Sequence, residues 1–436
     1  MAWRWTPTDP LAEAYDVVVV GGGPAGIMAA GAAAGNGRHV LLIDRRPQLG
    51  GNVWYPSAGQ PPVPEAAVDL SRLRGSGLRV LTGAEVLDRP RPGKLLVGSF
   101  EGWAQEVAYS QLVIATGARE RFLPFPGWTL PNVVGVGALQ LLGKSGAPVK
   151  GRSVVIAGSG PLLLAATAYL REQGAEVKVV AEQSSRWRVW RLAAGLVSNR
   201  ERFRQALDLQ RRVRGIPYRY GCWPVRAEGS GRVERVVLRQ GNRTWTEGCD
   251  LLACGYHLVP NLELAELLGC RLRDGFVAVD EYQESSVPGV YCAGEPVGIG
   301  GLELARVEGE IAGLSAAQQR EKARNRFADR RRLSSFRAGL RRAFALNPAL
   351  RGMVTPSTVV CRCEDVRAEA VAPYLGGRDA RLQTRCGMGR CQGRVCGPAA
   401  EFLWGWTPRG TRPPITPATV DQLTLSAVAE GAPGAT

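Results

Sequence analysis

The sequence predicts an α/β chain with two dinucleotide-binding, Rossmann-like domains and a small C-terminal helical module. Three observations predict it. An apolar strand runs straight into Gly21-Gly22-Gly23-Pro24-Ala25-Gly26. The same strand, glycine turn and helix return at Gly158-Ser159-Gly160. Four cysteines near the C-terminus fall into two tight pairs, Cys361 with Cys363 and Cys391 with Cys396.

The first unit reads in order. Residues 15–20 (Tyr-Asp-Val-Val-Val-Val) fit a buried parallel strand, and the alanine-rich stretch Ile27 to Ala34 fits a helix. Val40 to Ile43 form the next strand, ending at Asp44. Gly21 permits the tight turn and Gly23 lets the backbone approach a pyrophosphate. Gly26 lets the helix pack close, so that its N-terminal amides can meet phosphates. Asp44 stands where an adenine dinucleotide places its ribose, and an acid there favours FAD or NAD over NADP.

The second unit is less complete. A strand over 153–157 leads into Gly158 and Gly160, a helix to about Gln173, and a strand over 176–180 ending near Glu182. Leu163 takes the place of the third glycine, so the helix packs more loosely there. A nucleotide site and a retained domain with a purely structural pocket remain equal readings.

The run Leu112-Val-Ile-Ala-Thr-Gly117 reads as a strand and turn near the first nucleotide. Val290 to Glu295 reads as another strand end, followed by a helix from Leu302 to Ser315. The first domain is therefore expected to be discontinuous, 14–150 with 285–330, around an inserted second domain at 151–284. A basic helical connector is expected over 331–354, the thiol module over 355–405 and an extended tail over 406–436.

Four thiolates in close pairs suit a [2Fe–2S] cluster, with Cys361 and Cys363 on one side and Cys391 and Cys396 on the other. Gly387, Gly389 and Gly393 free backbone amides to approach the sulfurs, and Arg362, Arg390 and Arg394 oppose the cluster's negative charge. Structural zinc is the main rival, although Cys-x-Cys is tighter than finger spacing, and a disulfide pair is the third reading. Cys386 is left outside the ligand set.

Composition bounds the rest. A chain of 436 residues, 45% hydrophobic and 22% charged, fits two or three folded domains. Cysteines inside strand-like runs (Cys254, Cys292) read as buried thiols of a reducing compartment, and the expected location is the cytoplasm, at most peripheral to the inner membrane. The N-terminus lacks a secretory core, and no apolar run is long enough to span a bilayer. A net charge of +16 would attract phosphates or acidic surfaces, but the arginines are scattered and no nucleic-acid motif accompanies them. The two histidines, His39 and His257, have no evident acid partner, so a histidine dyad is not expected. No Cys-x-x-Cys lies near either glycine loop, which argues against a disulfide reductase.

With these residues in place, the chain resembles the two-dinucleotide-domain, glutathione-reductase-like flavoproteins. More closely, it resembles the FAD-containing A (alpha) subunits of bacterial multi-subunit amino-acid and opine dehydrogenases. Those include octopine and nopaline oxidases, proline and hydroxyproline dehydrogenases and the hydrogen cyanide synthase flavin subunit. The marks are residues 20–26, Leu49-Gly-Gly51, Ala115-Thr-Gly117, Gly158-Ser-Gly-Pro161, Ala293-Gly-Glu-Pro296, Cys361-Arg-Cys-Glu-Asp365 and the stretch from Arg385 to Cys396. The last two resemble the bacterioferritin-associated-ferredoxin-like [2Fe–2S] module.

The resemblance implies an oxidoreductase acting on CH–NH or CH–NH2 groups as one subunit of a complex. Its partners would be a D-amino-acid-oxidase-like beta subunit that oxidises the substrate, a small ferredoxin-like gamma subunit, and a respiratory-chain or other acceptor. It implies FAD held by Gly21, Gly23, Pro24, Ala25, Gly26, Asp44, Arg45, Gly51, Asn52, Thr116, Gly117, Gly294 and Glu295. Gly158 and Gly160 belong to the second site, which in some relatives takes NAD or ATP, and an FMN at a subunit interface stays open. Two other readings compete: a stand-alone NAD(P)H-dependent reductase for an external acceptor, and a zinc-stabilised assembly protein.

Overall fold

The computed structural model describes residues 11–57, 63–73, 77–195, 200–407 and 410–428. Chain contacts divide it into two units: 1–118 with 260–337 and 410–436, and 119–259 with 338–409.

In the first unit a seven-stranded sheet is built around the strand Ala14–Val20. This strand pairs in parallel with Val40–Asp44 on one side and Ala104–Ile114 on the other. Leu78–Thr82 continues one edge in parallel, Val290–Cys292 lies parallel to Ala104–Ile114, and Lys94–Ser99 and Ala84–Asp88 extend the sheet antiparallel. Val17, Val18, Val19, Leu41 and Leu42 are fully buried, as a sheet covered on both faces requires. The helix Pro24–Ala34 packs on the helix Leu302–Ala316, and small residues set the approach. A Cβ on Gly309 would stand 2.1 Å from the Ala25 carbonyl oxygen, and one on Gly313 2.2 Å from that of Ala29.

In the second unit five parallel strands are ordered Tyr218–Tyr220, Glu176–Glu182, Ser153–Ser159, Leu251–Tyr256 and Val133–Gly135. An antiparallel sheet of Cys222–Glu228, Arg235–Gln240 and Arg243–Gly248 follows. The thiol module belongs to this unit. It consists of a short hairpin (Val359–Cys361, Val366–Arg367) and the helices Ala368–Val371, Gly377–Thr384 and Cys396–Trp404 around Val360, Val371 and Ala380. The Trp128 indole donates to the Val359 carbonyl, and Arg119 Nε donates to the Arg394 carbonyl at 3.2 Å, tying the module to residues 119–128.

The α/β fold with two Rossmann-like sheets and a C-terminal helical region is the one expected. Two boundaries and the tail differ. The first break falls at 118 and not at 150, because Val133–Gly135 pairs with Leu251–Tyr256 and completes the second sheet. The return falls at 260 and not at 285: Leu264, Ala265, Leu268 and Val277 enter the core under the first sheet. The segment expected as an extended tail carries a helix, Val420–Val428, and Gln422 Nε2 donates to the Ser99 and Trp103 carbonyls at 2.8 and 3.1 Å. The basic connector is helical over Phe327–Ala343, and the division between units falls inside that helix. Within that helix Arg330 and Arg337 face Glu308 at 4.0 and 3.4 Å, and Arg332 faces Asp329 at 3.5 Å. No described helix is long and apolar enough to cross a membrane.

Candidate cofactor sites

The first glycine loop is set by backbone necessity. Gly21 has φ +112°, and a Cβ there would lie 2.2 Å from the Ala115 carbonyl oxygen. A Cβ on Gly26 would lie 1.7 Å from the Gly21 carbonyl oxygen, so the helix Pro24–Ala34 can start against the loop only with glycine at that position. Pro24 and Ala25 occupy the first helical turn. Gly51 (φ +59°) brings a second turn against Gly23: its Cβ would meet Gly23 Cα at 3.0 Å.

Asp44 closes this cradle. One carboxylate oxygen accepts the Gly22 amide and the other the Arg46 amide at 2.7 Å. Burial raises its pKa, and the two amides oppose that rise. Arg45 points away, with an exposed side chain 3.8 Å from Glu85. Arg46 is the inward basic residue, bonded to the Gly51 carbonyl at 3.2 Å and to the Asn52 side chain. Asn52 Nδ2 donates to the Ala118 carbonyl at 3.1 Å. Thr116 Oγ1 donates to the Asn261 carbonyl at 2.7 Å, and Asn261 Nδ2 returns a bond to the Thr116 carbonyl at 2.8 Å. That hydroxyl therefore braces the turn through Gly117 (φ +68°).

Gly294 (φ +77°) ends the strand Val290–Cys292 and leads into Glu295. Glu295 Oε2 is buried without a hydrogen-bond partner in the chain. A carboxyl oxygen so placed fits a polyhydroxyl ligand at the strand end. Beside it lies Glu308, fully buried, accepting the Gly294 amide at 3.2 Å and facing Arg337 at 3.4 Å and Arg330 at 4.0 Å. Burial pushes both carboxyls up to about 7. Arg337 and Arg330 oppose the rise at Glu308, and the Gly301 and Gly300 amides with Arg337 oppose it at Glu295.

A pH dependence follows. A carboxyl that titrates near 7 when folded and near 4.5 when unfolded binds a proton that unfolding releases, so its stabilisation is complete below 4.5 and declines up to about 7. Urea unfolding of the flavin-free chain should show stability falling across that interval, and Glu295→Gln should flatten the fall. An unchanged slope in the variant would place the proton elsewhere.

The second loop repeats this arrangement. Glu182 accepts the Gly160 amide on one oxygen and the Ser184 amide on the other, each at 2.8 Å, as Asp44 does for Gly22 and Arg46. Gly158 (φ +142°) would press a Cβ to 1.8 Å from the Gly255 carbonyl oxygen, while Leu163 is fully buried. The surroundings differ: Glu182 has no exposed surface, against 7% for Asp44. The next residue, Gln183, is pinned by the Asn347 amide at 3.0 Å and the Ala345 carbonyl at 3.4 Å. His257 sits nearby, its Nδ1 accepting the Leu258 amide at 2.8 Å, and burial lowers its pKa to about 4. His39 stacks on Tyr15 at 4.6 Å.

The thiol module gathers five cysteines. The Sγ atoms of Cys361, Cys386 and Cys396 lie within 4.8 Å of one another, and Cys363 lies against Gly389, two residues before Cys391. The grouping thus differs from the expected Cys361 with Cys363 and Cys391 with Cys396, and Cys386, left out by sequence reasoning, stands among the sulfurs. Cys361 Sγ accepts the Gly387 amide at 3.4 Å, and hydrogen bonds from Cys386 and Cys396 push its pKa down to about 2, raising theirs in turn. A Cβ on Gly389 would stand 2.4 Å from Cys363 Cβ, and Gly387 and Gly393 both have φ near +80°. Softness, number and amide supply fit a thiolate-bound metal centre. The remaining five cysteines, Cys254 and Cys292 among them, are buried free thiols.

Comparison with known proteins agrees with this geometry. The family described as pyridine nucleotide-disulphide oxidoreductase matches residues 15–319. The chain belongs to that family. Within it, the chain is 33% identical over 421 residues to the hydrogen cyanide synthase protein HcnB of Pseudomonas aeruginosa, covering 87% of this chain and 90% of HcnB. It is 29% identical over 429 residues to the opine oxidase A-subunit of Agrobacterium tumefaciens, covering 88% and 84%. The solved L-proline dehydrogenase from P. horikoshii has the same fold, with TM-score 0.66 and 21% identity over 94% of this chain and 79% of that one. The protein is thus an oxidoreductase-family flavoprotein homologous to HcnB and to the opine oxidase A-subunit.

Proposed function

We propose that this flavoprotein is the FAD- and [2Fe–2S]-containing electron-transfer subunit of a hetero-oligomeric dehydrogenase or oxidase for an amino acid, imino acid or opine. Substrate oxidation would occur on a partner flavoprotein. The observation that carries the reading is the joint presence, in one chain, of the Asp44-closed glycine cradle and the five-thiol module. HcnB and the opine oxidase relative are themselves named as subunits, which supports a complex.

Gly21, Gly23, Pro24, Ala25 and Gly26 would shape the loop and first helical turn whose amides meet the diphosphate, and Asp44 would accept from the adenosine ribose. Gly51, Asn52, Thr116 and Gly117 would shape the turns around the remainder. Glu295, when protonated, would donate from Oε2 to the ribityl chain. Cys361, Cys363, Cys391 and Cys396 would hold the cluster, with the Gly387 amide drawing electron density from a ligand sulfur and raising the potential. When bound, the flavin supplies two-electron exchange and the cluster one-electron exchange. The chain's residues contribute potential and positioning and no acid–base step on substrate.

The closed surroundings of Glu182 favour this reading over an NADH-fed reductase, because that carboxylate has no exposed surface to offer an adenosine ribose. Anaerobic purification with its native partners should give flavin, iron and acid-labile sulfide in one complex, with a paramagnetic signal after dithionite. A companion resembling D-amino-acid oxidase should appear by mass spectrometry. Flavin without iron or signal, zinc in place of iron, or a lone chain bleached by NADH would each defeat the proposal.

A further inference from the structure

The sulfur geometry contains one ligand too many. For a metal–sulfur bond of about 2.3 Å, tetrahedral thiolates stand roughly 3.8 Å apart. Cys361, Cys386 and Cys396, mutually within 4.8 Å, are therefore about 1 Å of side-chain movement from binding one metal together. An iron of a [2Fe–2S] cluster gives two of its four places to bridging sulfide and offers only two to protein. Cys363, packed against Gly389 two residues before Cys391, would with Cys391 take the places on the second iron. Three thiols then compete for two places on the first.

Chain constraints separate the three. Cys361 ends a strand and is buried, with the Gly387 amide on its sulfur, so it is the fixed member. Cys396 is buried at the start of the helix Cys396–Trp404. Cys386 is partly exposed and lies between the left-handed Arg385 (φ +62°) and Gly387 (φ +81°). Gly387 also faces the rival thiol, since a Cβ there would lie 3.6 Å from Cys396 Sγ. Both candidates thus approach Cys361 from segments that meet at one glycine.

Resting on the [2Fe–2S] reading, we propose that Cys386 and Cys396 are interchangeable ligands of the iron anchored by Cys361. The exchange breaks one iron–sulfur bond and forms another. The entering thiol gives up its proton, the leaving thiolate takes one, and no electron moves.

The test uses the full chain with its native partners, anaerobically, and reads iron, acid-labile sulfide and the paramagnetic spectrum of the reduced protein. Cys386→Ala should keep the wild-type iron content. Cys396→Ala should keep at least half of it with a shifted spectrum, and the double variant should lose the cluster. Flavin content and far-ultraviolet dichroism report folding, and Cys396→Ser, of nearly the same volume, replaces the alanine variant if that one unfolds. Loss of iron from folded Cys396 variants equal to that of the double variant would overturn the proposal. Loss of iron from Cys386→Ala alone would overturn it as well, since one metal would then need all three thiols. Absence of iron from the wild-type protein is a separate result and would overturn the cluster reading itself.

Discussion

Replacing Gly26 by alanine is expected to give a chain that purifies without flavin. The new methyl carbon would lie 1.7 Å from the Gly21 carbonyl oxygen, inside any van der Waals contact, with the Ala115 Cβ at 3.4 Å behind it. Neither neighbour can yield by a rotamer change, because the clash is with backbone. Gly21 itself cannot retreat: its amide is bonded to the Ile43 carbonyl at 2.8 Å, and it is packed on Ala115. The helix Pro24–Ala34 must therefore slide outward, carrying its first-turn amides away from the position proposed for the diphosphate. Overpacking of this kind costs about 1–3 kcal/mol in stability, but the loss of the amide cradle falls on binding and should be the larger effect. The flavin-to-protein absorbance ratio measures it, and thermal melting measures the stability share. Gly352→Ala, at a position with open space around it, is the control and should leave both unchanged. A Gly26→Ala chain that retains full flavin would refute the placement of the diphosphate on this loop.

How much of this was legible in the sequence depended on whether the signal was contiguous. The glycine loop, its flanking strand and helix and the closing acid lie within residues 14–44, and each was placed within a few residues. Their mutual geometry is local, fixed by turn sterics and one amide-to-carboxylate bond. The domain breaks were not legible because they depend on distant pairing. Val133–Gly135 is a three-residue strand whose membership is decided by a partner at Leu251–Tyr256. Cys386 was left outside the ligand set for the same reason: spacing weighs pairs along the chain, whereas the hairpin at Val359–Cys361 brings Cys361 across to Cys386 and Cys396.

Glu308 did carry a signal that went unread. In the helix Leu302–Ala316 it follows Leu304 by four and precedes Ile311 by three, inside the buried stripe. An acid there must be offset by nearby donors and cations, and the Gly294 amide, Arg330 and Arg337 supply them. Asn261 and Arg46 had no such pattern. Their roles come from single hydrogen bonds to turns, which no periodicity encodes.

The same helix carries the largest expected loss of stability. Arg306 donates from Nε and Nη2 to both oxygens of Asp69, at 2.7 and 2.8 Å, and Asp69 has no exposed surface. The geometry is bidentate, the form in which an arginine–carboxylate pair is strongest. Arg306→Ala would leave a buried carboxylate whose nearest remaining cation among the described residues, Arg72, stands 3.9 Å away with a half-exposed side chain. Removing one partner of such a pair costs about 3–5 kcal/mol, far more than a surface bridge. Removing Asp69 as well should restore part of the loss, because the stranded charge goes with it; Asp69→Ala/Arg306→Ala is therefore expected to unfold at higher urea than Arg306→Ala. Flavin should be affected too, since the Arg306 helix presses Gly309 and Gly313 against the carbonyls of Ala25 and Ala29 and places Glu308 on the Gly294 amide. If urea midpoints of the single variant and wild type coincide, the pair contributes only as an exposed bridge would, and the helix is held by its glycine contacts alone.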